Sequence, residues 1–475
     1  MTFPRHPFID GRPRPPREAT RQELINPATD EPLAEVFTGG PEDVEAAVCG
    51  ARRAFESGWC DLAPGRRAET LFAVARMLRE HADEIATIES RNIGKPIADA
   101  RDEAALGARV FEYYAGAISK FFGETIPVAR GGFDFTLRQP VGVVAAIVPW
   151  NFPFPIACWK AAPALAAGNC VVLKPASLSP LTALRLAELA HDAGLPPGVL
   201  QVLTGAGGRV GEALVLHPLV RKISFTGSTA VGMHLMRLAA GGLKRVSLEL
   251  GGKSPNIIFA DADVEKAAAA SPMSVFANAG QDCCARSRVF VERPVFERFV
   301  GKFVETMRAL KVGDPADPRI EVGPLVSRQQ RASVEEILAT VRGREVIGGG
   351  RPGGHGAFLQ PAVVLDCETA DTVWREEIFG PVACIRPFDD EGAMLREVND
   401  SPYGLSGSIW TNDLGRGIRV ARAVEGGNLS VNSHSSVRYW TPFGGFKKSG
   451  LGRELGPDAL HAFTEVKNVF ISTEG

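Results

Sequence analysis

Net charge is almost absent from this chain. Among 475 residues, 53 Lys and Arg stand against 55 Asp and Glu, a formal net charge of −2. That balance offers no positive footprint for a phosphate backbone or an anionic membrane surface, so neither nucleic acid nor membrane is an expected partner. Cysteine is scarce too. The eight thiols, at 49, 60, 158, 170, 283, 284, 367 and 384, form no paired C-x-x-C motif and no Cys/His cluster. This argues against a zinc site or a disulfide framework, and no metal is expected. Long apolar runs are missing as well. The most apolar stretch, 141–173, is interrupted by Pro149, Pro153, Pro155, Lys160 and Pro163 and does not read as a spanning helix. The first residues lack the apolar segment of a secretory signal, so the expected location is the reducing cytoplasm. No internal repeat or low-complexity linker is found.

What is present suits a large folded body. Apolar residues make up 45% and charged residues 23%, ordinary globular usage, and at roughly 150 residues per domain the length predicts about three domains. Residues 1–40 read as an extended N-terminal arm with short strands. Pro41-Glu42-Asp43 is a good helix start, and 41–58, 64–92 and 96–122 read as helices. A strand is expected at 133–139, after the Gly131-Gly132 turn. From 143 a β-α rhythm begins. Strands 143–148, 170–174, 199–203, 221–225 and 245–250 alternate with helices 155–167, 180–193, 208–216 and 229–240. This alternation predicts an α/β fold with a doubly wound parallel sheet, for which a dinucleotide is the usual ligand by analogy. A second α/β rhythm follows to about 436, with strands 256–260, 288–292, 345–347, 361–365, 383–387 and 407–411 and helices 263–279, 294–310 and 327–342. A last strand is expected at 466–471.

Three segments carry candidate chemistry. In Phe276-Ala-Asn-Ala-Gly280-Gln281-Asp282-Cys283-Cys284, a thiol follows a glycine turn at the end of a predicted helix, and a thiolate is a strong nucleophile toward carbonyl carbon. A lone cysteine is more often a small packed core residue, so context has to decide. In Val246-Ser-Leu-Glu249-Leu-Gly-Gly, an acid sits inside an apolar strand. Burial there would raise its pKa toward the range of a general base, and a structural salt bridge is the plain alternative. In Val148-Pro149-Trp150-Asn151-Phe152-Pro153-Phe-Pro155, three prolines stiffen a loop that could hold the Asn151 amide as an oxyanion donor, or could simply be a rigid turn.

These motifs, with Glu376-Glu377-Ile-Phe379-Gly-Pro381 and Pro442-Phe-Gly-Gly-Phe-Lys-Lys-Ser-Gly450, come in an order that resembles the aldehyde dehydrogenase superfamily over nearly the whole chain. The resemblance implies that Cys283 attacks the aldehyde and that the Cys283 N–H and the Asn151 amide hold the oxyanion. Glu249 would then activate the water that releases the acid. Lys160 and Glu454 match positions of proton relay or site support, and Glu465 would brace Arg245 and Arg453. Cofactor contacts are implied for Val148, Pro149, Trp150, Lys174, Ser177, Gly227, Ser228, Leu250, Gly251, Glu377 and Phe379. The Phe225-Thr-Gly227-Ser228 turn opens a helix toward a pyrophosphate, although its spacing departs from G-x-G-x-x-G. NAD-preferring relatives often carry Glu where this chain has Ser177; without that carboxylate, and with Lys174 nearby, NADP is expected to be tolerated or preferred over NAD.

The same resemblance places Phe152, Trp159, Asp282, Ser435 and Val437 along the aldehyde tunnel, with Tyr114 and Trp440 near its mouth. Asp282 and aromatic walls suit the ammonium of an amino-aldehyde or γ-glutamylated amino-aldehyde, whereas Arg438 would favour an acidic semialdehyde. Other readings are a CoA-acylating enzyme, which has no need of Glu249, a Cys-dependent hydrolase, and a catalytically silent structural homologue. The implied domains are 1–120, 140–251 and 437–457 for the dinucleotide, 252–436 for catalysis, and 121–139 with 458–475 for oligomerisation into a homodimer or homotetramer.

Overall fold

A computed structural model describes residues 3–17, 20–341 and 344–474. Of the expected ranges, positions 1, 2, 18, 19, 342, 343 and 475 lie outside the described residues. Among the described residues, two large sheets, of eight and seven strands, carry the two β-α rhythms.

In the first sheet, Val143–Ile147, Cys170–Lys174 and Leu200–Val202 run parallel in one direction of progression, and the chain then returns so that Val220–Thr226 pairs on the other side of Val143–Ile147, followed by Arg245–Glu249. The strands are apolar on both faces because helices cover both, which is the condition for an all-parallel core. The reversal of strand order creates a crevice beyond the carboxyl ends of Val143–Ile147 and Val220–Thr226, where neighbouring connections leave on opposite faces. Val148–Asn151 and Gly227–Ser228 are the residues that follow those two ends. Antiparallel strands close both edges: Phe8–Ile9 and Arg12–Pro13 on one side, Gly450–Leu451 on the other.

The second sheet is parallel from Ala362–Leu365 through Val382–Phe388, Arg288–Glu292, Pro255–Ile258 and Ser406–Trp410 to Asn428–Val431, with Val346–Gly348 antiparallel at its edge. A third sheet pairs Gly132–Pro140 with Thr464–Ser472 and Thr125–Ile126. No helix among the described residues is long and apolar enough to cross a membrane.

Several element boundaries depart from the sequence reading. The helix expected over 64–92 breaks at His81 into Pro64–Glu80 and Ala82–Ile93. The last turn of 41–58 widens into a π-turn at Phe55–Trp59, and 96–122 ends as a helix at Ala117. The helix expected over 263–279 stops at Ala270, because Pro272 has no N–H to continue the ladder. A short turn, Met273–Phe276, follows, and the chain then enters left-handed backbone at Asn278, Ala279 and Gly280. The helices Glu391–Asn399 and Leu414–Ala423 and the strand Asn428–Val431 were not anticipated; Asp390 and Asp413, which cap the two helices, are the signals that announce them.

Candidate active site

The segment that leads to Cys283, the candidate nucleophile, carries strained backbone. Asn278 and Ala279 hold φ of 52° and 55°, which costs non-glycine residues energy that surrounding contacts must offset. Those contacts are visible. Asn278 Nδ2 donates to Asn151 O at 3.0 Å and to Gln281 O at 3.2 Å, Gln281 Nε2 donates back to Asn278 O at 2.9 Å, and Val326 N donates to Gln281 Oε1 at 2.8 Å. Gly280, at φ 72°, has no alternative: a Cβ there would lie 2.1 Å from Gly380 O. Gly252 lets the next part of the loop approach, since a Cβ on it would lie 2.2 Å from Cys283 O.

Asn151 is fixed from two sides. Its carbonyl accepts from Asn278 and, at 3.0 Å, from the buried Lys95 Nζ, which also donates to Glu103 Oε1 at 2.6 Å and sits 4.1 Å from the Phe152 ring centroid. Its side-chain amide donates one hydrogen to Gln281 O at 2.9 Å, leaving a second amide hydrogen for another acceptor. Lys95, Asn278 and Gln281 escaped the sequence reading. Each acts by holding another residue, which no spacing pattern reveals.

Burial pushes Glu249 well above the usual carboxylate range, the negative Glu454 adds to this, and Lys160 opposes it. Among the described residues, neither carboxylate oxygen of Glu249 has a hydrogen-bond partner. Lys160 is ion-paired with Glu454, and both bond Ser224 Oγ at 3.1 Å, while Glu454 Oε2 is unpartnered. The Cys283 thiol is held above its ordinary value by a hydrogen bond with Cys284 and by burial.

One cavity of about 710 Å³ occupies the crevice at the end of the first sheet. Its wall includes Cys283 and Asn151 together with Val148, Pro149, Trp150, Lys174, Ser177, Gly227, Ser228, Leu250, Gly251, Glu377 and Phe379. At one end, Trp150 and Phe379 meet edge to face at 5.1 Å, and Glu377 accepts from Gly252 N at 2.9 Å, its pKa pushed to about 7 by burial. Midway, Ser228 caps the helix Thr229–Ala240, whose free N–H groups favour an anion, and the buried Thr226 Oγ1 on the wall has no partner. At the other end, Ser177 Oγ donates to Gly205 O at 3.2 Å, and desolvation lowers Lys174 to about 8. The cavity also exposes Glu212 and His234, hydrogen-bonded at 2.9 Å, which the sequence reading missed.

A chain with this sheet reversal and these walls can be compared with known proteins. A model of the aldehyde dehydrogenase family matches residues 15–469. The chain belongs to the aldehyde dehydrogenase family. An aldehyde dehydrogenase of Enchytraeus buchholzi is 42% identical over 456 residues, covering 94% of this chain and 92% of the relative. The NADP/NAD-dependent aldehyde dehydrogenase PuuC of Escherichia coli is 40% identical over 472 residues, covering 98% and 95%. Among solved structures, the indole-3-acetaldehyde dehydrogenase AldA of P. syringae, a mutant in complex with NAD+, superimposes with a TM-score of 0.98 at 40% identity, covering 99% of this chain and 97% of that one. The betaine aldehyde dehydrogenase of Staphylococcus aureus with NAD+ gives 0.97 at 35%, covering 100% and 96%.

Within this aldehyde dehydrogenase, the tunnel candidates lie outside the wall of the large cavity. Trp159 and Val437 pack with Cys283 and Tyr439 against Cys284, Leu405, Phe443 and Leu455. Trp159 Nε1 is buried without a partner. Asp282 is tied down by Cys284 N at 2.8 Å, and Ser435 N bonds Ser433 Oγ at 3.0 Å. Two expectations need correction. Tyr114 is wholly buried and donates to Gly456 O at 3.0 Å; the adjacent Tyr113 is the one that meets Tyr439, because one helical step rotates the side chain by about 100°. Glu465 pairs with Arg245, but Arg453 Nη1 instead donates to Gly445 O and Gly452 O. Trp440 is half exposed and packs on Tyr439.

Proposed function

We propose that this enzyme oxidises an aliphatic amino-aldehyde, or its γ-glutamylated form, to the carboxylic acid with NAD(P)+ through a thioester on Cys283. It is an NAD(P)-dependent aldehyde dehydrogenase. The observation that carries the reading is a single cavity that joins Cys283 and Asn151 to the Val148–Trp150, Gly227–Ser228 and Glu377–Phe379 segments.

Cys283 Sγ gives up its proton to solvent and attacks the carbonyl carbon as the thiolate, and the oxygen takes up the charge. The Cys283 N–H and the free amide hydrogen of Asn151 receive that oxyanion. A nicotinamide held in the cavity would supply the hydride acceptor for oxidation of the Cys283 adduct to the thioester. Glu249, buried and unpartnered, takes a proton from water, whose oxygen attacks the acyl carbon and expels the Cys283 sulfur. Lys160 and Glu454 pass that proton onward or support the site. Trp150, Phe379 and Glu377 hold the nicotinamide end, Gly227 and Ser228 the pyrophosphate, and Lys174 and Ser177 the adenosine ribose, with Val148, Pro149, Leu250 and Gly251 as the floor. The absence of an acid at 177 supports acceptance of NADP as well as NAD.

Asp282, beside the nucleophile, supports a cationic substrate, with Phe152 and Trp159 as aromatic walls and Ser435 and Val437 opposite. One face of Phe152 is already taken by Lys95, which leaves Trp159 as the freer wall. An acidic semialdehyde is the second reading, favoured by the exposed Arg438 guanidinium, which folds onto Ser435 O at 3.3 Å. Kinetics with 4-aminobutyraldehyde, succinate semialdehyde, hexanal and benzaldehyde, each with both cofactors, test the choice. A best kcat/KM for an uncharged aldehyde would overturn both readings.

The segments 1–120, 140–251 and 437–457 form the proposed dinucleotide domain; pairing of Gly450–Leu451 with Arg245–Glu249 supports the return of the last segment. Segment 252–436 is the proposed catalytic domain. The 121–139 and 458–475 element exposes Phe133, Leu137, Val466, Phe470 and Ile471, apolar surface that supports a homodimer or homotetramer. Sedimentation showing only monomer at micromolar concentration would refute it.

A further inference from the structure

Arg286 lies three residues beyond Cys283 and is 4% exposed, yet among the described residues its guanidinium bonds only neutral oxygens. Nη1 donates to Cys284 O at 2.6 Å, Nε to Ser408 Oγ at 3.2 Å, and Nη2 to His434 O at 3.2 Å and Ser436 Oγ at 2.8 Å. A buried cation without a carboxylate beside it costs desolvation energy, and an apolar side chain of equal volume would avoid that cost. What the guanidinium supplies instead is geometry. Its planar fork reaches three separate pieces of chain at once, which a lysine ammonium on a flexible stem does not reproduce.

Those three pieces are the segment behind the nucleophile, the strand Ser406–Trp410, and the loop 433–437. The loop has little backbone ladder of its own. It rests on hydroxyls: Ser430 Oγ donates to Ser433 O at 2.5 Å, Ser408 Oγ meets His434 Nδ1 at 2.9 Å, and Ser406 Oγ meets Ser436 Oγ at 3.2 Å. Ser406 and Ser408 share one face of their strand, and Ser430 lies opposite Ser408 in register. Among the described residues, Arg286 is the one group that joins this hydroxyl bed to the Cys284 main chain. Val437, at the end of the loop, packs in the same apolar cluster as Cys283 and Trp159.

We propose that Arg286 is a positioning residue that sets aldehyde selectivity, by locking the loop carrying Ser435 and Val437 to the segment carrying Cys283. This rests on the reading above that Ser435 and Val437 face the aldehyde. Loosening the lock changes the tunnel's width and leaves the cofactor cavity untouched, since Arg286 is not part of its wall.

The test compares full-length wild type with Arg286→Met, Arg286→Lys and Ser436→Ala across 4-aminobutyraldehyde, hexanal and benzaldehyde. Arg286→Met is expected to raise KM for the preferred aldehyde about tenfold or more and to narrow the spread of kcat/KM across the panel, while KM for NAD(P)+ stays within about twofold. Arg286→Lys should recover part of the spread. Ser436→Ala removes the bonds of its hydroxyl to Arg286 Nη2 and Ser406 Oγ and leaves the guanidinium in place, so it keeps the test valid if Arg286→Met does not fold, and it should shift the spread by roughly threefold in the same direction. Unchanged spread in folded variants, or a cofactor KM that moves as far as the aldehyde KM, overturns the proposal while the enzyme's activity stands. A wild type silent toward the whole panel overturns the substrate reading on which it rests.

Discussion

The side-chain amide of Asn151 donates to the carbonyl of Gln281 at 2.9 Å, two residues before Cys283. The proposed oxyanion donor and the proposed nucleophile loop are therefore one hydrogen-bonded unit, and Asn278 and Lys95 hold its other side through Asn151 O. Removing the amide deletes the proposed oxyanion donor and leaves Gln281 O with Asn278 Nδ2 as its remaining side-chain donor. Asn151→Ala is expected to lower kcat about 100- to 1000-fold, roughly 3–4 kcal/mol, with little change in cofactor KM. Steady-state kinetics on a variant with a native circular dichroism spectrum checks this; a loss confined to KM would count against an oxyanion role.

Cofactor preference should depend on pH. Desolvation brings Lys174 down to about 8. Its cationic form is complete well below that value and is lost as pH rises through it, so any attraction for a 2′-phosphate fades in the same window. The ratio of kcat/KM for NADP over NAD is expected to fall between about pH 7 and 9. Ser177→Glu should lower the ratio at every pH by about tenfold or more, because a carboxylate then faces the phosphate. A ratio indifferent to both changes would remove Lys174 and Ser177 from cofactor choice.

Two glycines separate strain from tolerance. A Cβ at Gly252 would fall 2.2 Å from Cys283 O, whereas one at Gly207, on the wall of the same cavity, meets nothing within 4 Å. Gly252→Ala is expected to destabilise the enzyme by about 1–3 kcal/mol and to cut activity severely, and Gly207→Ala to stay within about 0.5 kcal/mol of wild type. Thermal unfolding of the two variants side by side distinguishes them. Equal melting temperatures would show that the nucleophile loop yields easily.

The β-α rhythm is legible in the sequence because it is local, an apolar run followed by a turn and a helix start, whereas the residues of the crevice are reached through the resemblance of their motifs to a known family. The nucleophile's setting was less so. Pro272 stops the helix that periodicity carries on to 279, and the left-handed turn at Asn278 and Ala279 is stabilised by long-range partners such as Asn151 and Val326. Tyr114 was misplaced by a single helical step. Arg286, Lys95 and the Glu212–His234 pair were invisible because their meaning lies in partners far away in the chain.

Glu249 bears the heaviest assignment, as the base that completes turnover. Its raised pKa and its two unpartnered oxygens suit a group that waits for water. Glu249→Gln, mixed rapidly with saturating aldehyde and NAD(P)+, should release a burst of about one equivalent of NAD(P)H per subunit and then turn over at least about 100-fold more slowly than wild type, with acyl group retained on Cys283. Undiminished steady turnover, with no burst and no acylated Cys283, would contradict hydrolysis by Glu249.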